Sequence, residues 1–302
     1  MARIAVTGGT GFVGRHVVGL LLERGHTVRV LARDAEHVPF PRDRVAVVPG
    51  SVADAAALAQ LLAGVDTLVH LVGIIAERGA ATFAAIHVEA AQRVADAART
   101  AGAARIVHMS ALGARSERAA TAYHRSKAAG EAAVRAAGLP HVILRPALIV
   151  GPESVPLRLL ARLHRHLPAV PVFGDGRFPM QPIWIGDVAA AFARAAEGLL
   201  PEGTYDIGGP DQVTYADFVR AIGAVIGRPR PLVHVPLGLV RVAARGFDIL
   251  PAHLAPITSD QLQMLVEGSA TPADGIRQVL GAEPLPLGEG LRRVARAWRE
   301  NP

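Results

Sequence analysis

The sequence predicts an α/β fold, a doubly wound parallel sheet with a smaller, helix-rich C-terminal lobe. Through the first half of the chain, apolar runs of strand length alternate with alanine-rich helical stretches, a pattern typical of parallel βαβ units. After Pro152 this alternation ends and prolines become frequent, which indicates a lobe of different construction. The predicted strands are residues 3–7, 27–32, 45–48, 66–72, 104–109 and 141–145.

A glycine-rich turn follows the first predicted strand and leads into an apolar helical stretch. It has the spacing T-G-x-x-G-x-x-G over residues 7–14. Gly8 permits a tight turn, Gly11 lets the backbone approach a pyrophosphate, and Gly14 lets the helix pack close to the strand. Chance spacing among 31 glycines is the alternative, and the strand and helix on either side disfavour it.

In this turn the phosphates of a dinucleotide would meet free N–H groups at the positive end of the helix. The predicted cofactor contacts here are Thr7, Gly8, Thr10, Gly11, Phe12, Val13 and Gly14. Residues 1–152 are therefore predicted to be a dinucleotide-binding domain, to which residues from about 181–210 contribute further core elements. Residues 153–302 are predicted to form most of the smaller lobe, for a substrate or a partner.

The end of the second predicted strand determines the choice of cofactor. An acidic residue there binds the ribose 2′-hydroxyl of NAD, whereas an arginine binds the 2′-phosphate of NADP through its planar fork. Arg33 takes the discriminating position, so we predict NADP. If the register shifts by one residue, Asp34 takes that position and NAD is the alternative.

Tyr123 and Lys127 form a Tyr-x-x-x-Lys pair in a predicted helix. A separation of four residues puts both side chains on one face of the helix. A nearby ammonium favours the phenolate and lowers the pKa of the phenol, which lets a tyrosine act as acid or base near neutral pH. A solvated charged face is the alternative. Because the glycine turn accompanies the pair, we interpret it as catalytic.

With these motifs the chain resembles the extended or atypical branch of the short-chain dehydrogenase/reductase superfamily, NAD-dependent epimerase/dehydratase-like proteins with a Rossmann-like fold. Further segments carry the resemblance: HLVG at 70–73, HMSA at 108–111, LRP at 144–146 and QPIWIGDVA at 181–189. Within that branch, SALGA at 110–114 and TSDQL at 258–262 are similar to the nucleotide-binding accessory subunit of respiratory complex I, of the alpha-subcomplex subunit nine type.

The resemblance implies roles for individual residues. Tyr123 would be the proton donor, and Lys127 would tune it and bind the nicotinamide ribose. Further cofactor contacts would follow the third, fourth and sixth strands, at Ser51, Val52, Leu71, Val72, Gly73 and Pro146.

Two residues depart from the family pattern. Ala111 stands where active members have a serine or threonine that hydrogen-bonds the substrate carbonyl, and Ser110, which we keep as a catalytic candidate, is one place early. By analogy with oxyanion donors, loss of such a hydroxyl costs about a hundredfold in rate or more. His87 replaces the helix asparagine of the family, and it either acts near the site or satisfies a backbone carbonyl.

Composition narrows the partners and the compartment. The chain has 302 residues, 51% of them hydrophobic, a net charge of +6 and no cysteine. Basic residues are scattered and only 4% of residues are aromatic, so we expect no nucleic-acid partner. No histidine spacing indicates a metal site, and we assign none. We expect a cytoplasmic protein, with a location peripheral to the inner membrane as the alternative.

An apolar stretch at residues 234–250 is predicted to be a helix, with only Arg241, Arg245 and Asp248 charged. We favour burial of this helix within the lobe. A surface helix for a partner protein or a membrane is the alternative.

Two functions from different classes fit these observations. The first is an NADP(H)-dependent oxidoreductase or epimerase, acting by hydride transfer on a small carbonyl or nucleotide-linked compound. The second is a non-catalytic subunit, in which NADP(H) stabilises the fold and the lobe docks on a respiratory or membrane-surface partner. Ala111 favours the second function, whereas Tyr123 and Lys127 favour the first.

Overall fold

The computed structural model describes residues 1–41, 43–117, 121–247, 258–271 and 274–300. In chain order, its elements are β1 (Arg3–Thr7), α1 (Phe12–Glu23), β2 (Thr27–Ala32), β3 (Val45–Pro49), α2 (Ala55–Leu62), β4 (Thr67–His70), a π-helical stretch (Ala84–Glu89), α3 (Ala90–Thr100), β5 (Arg105–Met109), α4 (Ala122–Ala136), β6 (His141–Pro146), β7 (Ile149–Val150), α5 (Val155–His166), β8 (Val170–Phe173), β9 (Pro179–Met180), β10 (Ile183–Trp184), α6 (Ile185–Ala196), β11 (Gly203–Ile207), β12 (Val213–Thr214), α7 (Tyr215–Val225), β13 (Leu232–Val235), α8 (Leu237–Phe247), α9 (Ser259–Glu267), α10 (Asp274–Leu280) and α11 (Leu287–Glu300).

Seven parallel strands form one sheet in the order β11-β6-β5-β4-β1-β2-β3. From β1 the chain builds outward through β2 and β3, then returns to β4 and builds outward on the other side. The order therefore reverses between β1 and β4, and ligands bind at such a point, beyond the carboxyl ends of the strands. This topology confirms the predicted doubly wound sheet, and β11 adds a seventh strand to the six predicted ones.

The strands are apolar along most of their length because helices flank the sheet and bury both of its faces. Fully buried residues in neighbouring strands are Val6, Val30, Val69 and Val107. One large core cluster joins α2 and α3 to the sheet. A rigid sheet of this kind holds the loops at its carboxyl edge in fixed positions, which is where the predicted site residues lie.

Contacts divide the chain into two compact units. The first contains the sheet and consists of Met1–Pro146, Gly186–Ile207 and Val279–Gly281. The second consists of Ala147–Ile185, Gly208–Gln278 and Ala282–Pro302. Helices α5, α7 and α11 surround the apolar core of the second unit, which confirms the helix-rich C-terminal lobe. The boundary after residue 152 stays a prediction about independently folding domains.

The apolar stretch predicted as one helix at residues 234–250 is not a single helix. His234 and Val235 belong to strand β13, and α8 begins only at Leu237, after Pro236. Proline lacks an N–H group, so it ends the strand ladder and suits the start of a helix. Asp248–Leu250 lie outside the described residues. No helix in the described part of the chain is both long and apolar enough to span a membrane.

Candidate active site at the carboxyl edge of the sheet

The turn between β1 and α1 has two glycine positions that leave no room for a side chain. Gly8 has a φ of +76°, and a Cβ there would lie 3.0 Å from backbone atoms of both Leu71 and Val72. A Cβ at Gly14 would overlap the carbonyl oxygen of Gly8. Any side chain at these positions would push the turn away from the β4 loop, or α1 away from the turn. The contacts match the tight turn and close helix packing that the spacing predicts.

Gly11 differs from these two because protein atoms leave it room. Its φ is −76°, and a Cβ there would meet one atom within 4 Å, the carbonyl oxygen of Gly8 at 3.3 Å. Helix α1 begins at Phe12, and no described side chain caps its first turn, which includes Val13. The turn, with Thr10 half-buried in it, thus leaves a cradle beside exposed Gly11 that a Cβ would fill. Such a cradle fits a pyrophosphate.

Arg33 and Asp34 follow β2 directly, and both are exposed. The carboxylate of Asp34 accepts hydrogen bonds from the backbone N–H groups of Glu36 and His37, each at 3.2 Å. It also lies 3.0 Å from the ring of His37, and this hydrogen bond lowers the pKa of the carboxyl group. Asp34 is therefore engaged in its own turn, whereas the Arg33 guanidinium makes no hydrogen bond or ion pair with the described residues.

Ser51 and Val52 follow β3, and both are half-buried. The Ser51 hydroxyl accepts a hydrogen bond from the N–H group of Ala53 at 3.2 Å, which holds the loop in a local turn. Val52 packs against the main core cluster of the sheet. The structure therefore places both residues at the carboxyl edge, two strands from the glycine turn.

Leu71, Val72 and Gly73 follow β4 and lie against the glycine turn. The Leu71 N–H group donates to the carbonyl oxygen of Thr7 at 3.0 Å, so the two loops are joined through their backbones. Gly73 is exposed, and a Cβ there would lie 3.6 Å from the Lys127 Nζ atom. Gly73 thus places no side chain of its own beside the lysine, and a Cβ there would make ordinary van der Waals contact. Pro146, the last residue of β6, is buried at the same edge.

Lys127 is almost completely buried on α4, and its ammonium group is held by the sheet. Its Nζ atom donates a hydrogen bond to the carbonyl oxygen of Met109, the last residue of β5, at 2.6 Å. Burial lowers the pKa of Lys127 from 10.5 to about 8, and the carboxylate of Glu131 opposes this shift. The lysine is therefore mostly protonated at neutral pH, although its pKa lies only a little above that pH.

Tyr123 lies one helical turn before Lys127 on the same face of α4 and is half-buried. Burial raises the pKa of its phenol from 10.0 to about 12. The expectation that Lys127 lowers this pKa is therefore wrong for this structure. The physical reason is that removal from water penalises the phenolate, while the ammonium group of Lys127 is bound to Met109.

His87 links the loop after β4 to helix α4. Its Nε2 atom accepts a hydrogen bond from the N–H group of Ile74 at 3.0 Å, so the proton is on Nδ1, which donates to the Ser126 hydroxyl at 2.8 Å. Ser126 in turn donates to the carbonyl oxygen of Tyr123 at 2.7 Å. Burial, and then the charge of Lys127, lower the pKa of His87 to about 3, so the ring is neutral.

The contacts of His87 distinguish between the two roles that the sequence allows for it. It does not satisfy a backbone carbonyl of its helix but accepts a backbone N–H, next to Lys127 and Gly73. Ser126 completes this link, and sequence reasoning missed it. Its position one residue before the lysine, on the inner side of α4, was the available signal.

Ser110 follows β5 directly and is buried beside Ala111. Its Oγ atom is buried and makes no hydrogen bond of ordinary length to the described residues. At longer range it acts on Glu131 of α4, and together with Arg145 it lowers the pKa of that carboxyl group against the opposing effect of burial. Arg145 donates to Glu131 at 2.6 and 2.7 Å. Ser110 therefore belongs to the surroundings of this ion pair. Ala111 beside it is buried and has no hydroxyl.

A buried pair of histidines lies next to the glycine turn, and sequence reasoning missed it. His70 and His108 are partners in the register of β4 and β5, and their rings stack 5.3 Å apart at an angle of 17°. The Nδ1 atom of His70 lies 2.6 Å from the Oγ1 atom of buried Thr7. Burial, and then the charge of Lys127, lower the pKa of both histidines far below 6.5. The signal was that each histidine falls at the carboxyl end of a predicted strand.

Three comparisons with known proteins agree with this site. The profile of the NAD dependent epimerase/dehydratase family matches residues 4–208. Ceramide reductase of Caulobacter vibrioides is 37% identical over 238 residues, which cover 77% of this chain and 73% of the reductase. The mitochondrial NADH dehydrogenase (ubiquinone) 1 alpha subcomplex subunit 9 of Arabidopsis thaliana is 29% identical over 279 residues, which cover 89% of this chain and 69% of the subunit.

The solved structure of MoeE5 in complex with UDP-glucose and NAD has the same fold. It matches with a TM-score of 0.77 and 21% identity, and the match covers 99% of each chain. At this identity the likeness concerns the fold alone. Together with the family profile and the reductase relative, it confirms the resemblance stated from the motifs. The chain therefore belongs to the NAD dependent epimerase/dehydratase family, an extended branch of the short-chain dehydrogenases whose members bind a nicotinamide dinucleotide.

Proposed function

We propose that this protein is an NADP(H)-dependent oxidoreductase that reduces a carbonyl group of a small or nucleotide-linked substrate. The observation that carries the proposal is the placement of Lys127. Its buried ammonium group is fixed to the end of β5, beside Gly73 and one turn from Tyr123. Gly73 places no side chain of its own against this amine.

The residues at the carboxyl edge fit a dinucleotide. The cradle at Gly11 would hold the pyrophosphate, the segment at Ser51 and Val52 would lie against the adenine, and Lys127 would hold the nicotinamide ribose. When bound, the reduced cofactor supplies the hydride that adds to the carbonyl carbon. The protein's own part is to bind and orient both molecules and to deliver a proton to the carbonyl oxygen.

Tyr123 is the group that would deliver this proton. With a pKa of about 12, its phenol is protonated at neutral pH and is ready to donate. The reverse reaction would need the phenolate as a base, which burial disfavours. The His87–Ser126 link holds the backbone of Tyr123 and therefore positions it without touching the substrate.

The proposed preference for NADP rests on Arg33. Its guanidinium is exposed at the end of β2 and is available for a 2′-phosphate, with which arginine forms charge-assisted hydrogen bonds. Asp34 would have to leave its turn with His37 to bind a ribose hydroxyl of NAD.

A second function is favoured by Ala111. No hydroxyl at this position can polarise a carbonyl, and the buried hydroxyl of Ser110 acts on the carboxyl group of Glu131. The protein would then be a nucleotide-binding accessory subunit of a respiratory complex, as the name of the Arabidopsis relative suggests. Bound NADP(H) would stabilise such a subunit by mass action.

Turnover of NADPH by the purified protein, with carbonyl compounds that include keto-lipids and sugar nucleotides, distinguishes the two functions. An enzyme should oxidise NADPH with at least one substrate class, and Tyr123→Phe should abolish turnover while NADPH still binds. Tyr205→Phe is the matched control, because the Tyr205 hydroxyl donates to the carbonyl oxygen of Pro201, and it should leave turnover within about threefold. An active Tyr123→Phe variant would show that another group is the acid.

The accessory-subunit function gives a different result in the same assay. The parent protein should then bind NADPH yet show no turnover with any compound. The Ala111→Ser variant should gain a weak activity, because it restores a donor worth about a hundredfold, roughly 3 kcal/mol of transition-state stabilisation. Robust turnover by the parent that survives Ser110→Ala would exclude this second function.

A further inference from the structure

Among the described residues, helix α8 packs one of its sides on the rest of the second unit. Val240 and Ala244, one turn apart, are buried and form a small core with Leu262 of α9. Partly buried Leu237 and Val235 close this core at its edge. The inner side of α8 therefore already has its partners.

The outer side of α8 is apolar and exposed. Leu239 and Val242 have 65% and 69% of their surface accessible, and both Ala243 and Gly246 are exposed as well. At about 100° per residue these four positions form one continuous arc that faces away from Val240. A soluble helix normally places charged and polar residues on such an arc.

The charged residues of α8 are both arginines. Arg241 and Arg245 lie one turn apart, are exposed, and border the apolar arc on one side. Neither forms an ion pair with a described residue. Helix α8 thus combines an apolar outer arc with a cationic border and no acidic residue.

Helix α5 shows that this arrangement is not a general property of the surface. Its exposed apolar residues, Val155 and Leu159, share one face with exposed Arg158 and Arg162. On α5 charge is interspersed among the apolar side chains, which keeps that face solvated. On α8 the apolar arc and the arginines are separated, as in helices that lie in a membrane interface.

We propose that the outer face of α8 docks on the surface of a lipid bilayer that carries anionic headgroups. Leu239 and Val242 would enter the boundary between headgroups and acyl chains, and Arg241 and Arg245 would contact the phosphates beside it. Charge complementarity selects this occupant, because the helix carries two exposed arginines and the whole chain has a net charge of +6. A second copy of the chain would bring the same positive charges together.

Co-sedimentation of the full chain with vesicles tests the proposal. The probe is a vesicle of phosphatidylcholine with about 30% phosphatidylglycerol, compared with phosphatidylcholine alone. The wild-type protein should bind the anionic vesicles and release them in high salt. The Arg241→Gln, Arg245→Gln double variant should bind about 30-fold more weakly. The Leu239→Gln, Val242→Gln double variant should lose about tenfold or more.

The double variant Val155→Gln, Leu159→Gln on α5 is the matched control, and it should bind vesicles as the wild type does. Equal loss in this control, or no loss in either α8 variant, would overturn the proposal. Thermal melting and sedimentation velocity of the same variants exclude other occupants of the face. A lower melting temperature of the Leu239→Gln, Val242→Gln variant would show that the chain itself covers the face, and loss of a dimer would show a second copy. Either result overturns membrane docking.

Discussion

Acid should destabilise this protein through the buried histidines at the site. Burial and the charge of Lys127 lower the pKa of His70 and of His87 from 6.5 to about 3. In the unfolded chain both pKa values return to 6.5, so between these values the unfolded state binds more protons than the folded state. The stabilising contribution is therefore complete above a pH of about 6.5 and is lost as the pH falls toward 3.

The size of the loss follows from the two pKa values of each histidine. At a pH of about 4.5, nearly every unfolded molecule carries the proton and nearly every folded molecule lacks it. Linkage then gives a loss of about 2.5 kcal/mol per histidine relative to pH 7, or about 5 kcal/mol for the pair. His108 adds to this in the same direction, since its pKa is lowered by the same causes. The total is a large part of the stability of a typical domain.

Urea unfolding followed by circular dichroism, at a pH of about 7 and of about 4.5, measures this loss. The asparagine of the His87→Asn variant offers an amide to Ile74 and Ser126 but does not titrate. The free energy of unfolding of this variant should therefore fall by about 2.5 kcal/mol less than that of the wild type between the two pH values. His166→Asn changes an exposed histidine and is the matched control. The difference in its free energy of unfolding between the two pH values should equal that of the wild type. Equal free energies of unfolding at both pH values, or an undiminished loss in His87→Asn, would refute the reasoning.

Three further predictions concern the cofactor edge. The wild-type protein should bind NADPH more tightly than NADH, and Arg33→Asp should reverse this order in fluorescence titrations; equal wild-type affinities would contradict the role of Arg33. Gly11→Val should weaken dinucleotide binding about a hundredfold or more with little change in melting temperature, because a Cβ there meets only one protein atom within 4 Å. Retained binding in calorimetry would place the phosphates elsewhere. Any reductase activity should fall as the pH rises through about 8, where Lys127 loses its charge, and a flat profile to higher pH would exclude that role.

The sheet and the glycine turn were predictable because their signals are local. Each strand is a short apolar run between turn residues, and the turn carries its requirement for glycine within residues 7–14. The pair of Tyr123 and Lys127 was predictable for the same reason, since four residues on a helix fix a shared face. β11 was missed as a strand because its exposed positions make the run of apolar residues short.

The electrostatics of the site were not predictable from such signals. The pKa of Tyr123 depends on burial by the rest of the fold, and Lys127 is held by Met109, 18 residues earlier in the chain. The stacking of His70 on His108 depends on the register of two strands. The direction of the Ser110 side chain depends on where Glu131 lies in α4. All of these are long-range contacts that no spacing encodes.

The buried groups at the carboxyl edge depend on one another through the charge of Lys127. That charge contributes to the lowered pKa of His70, His87 and His108. A neutral imidazole tolerates an ammonium nearby, whereas an imidazolium would repel it. While the histidines stay neutral, positive charge is concentrated on Lys127, next to Gly73. Protonation of His87 in acid would remove the acceptor of the Ile74 N–H group as well as destabilise the fold. The charge of Lys127 therefore serves the proposed chemistry and, together with burial, makes the fold sensitive to acid.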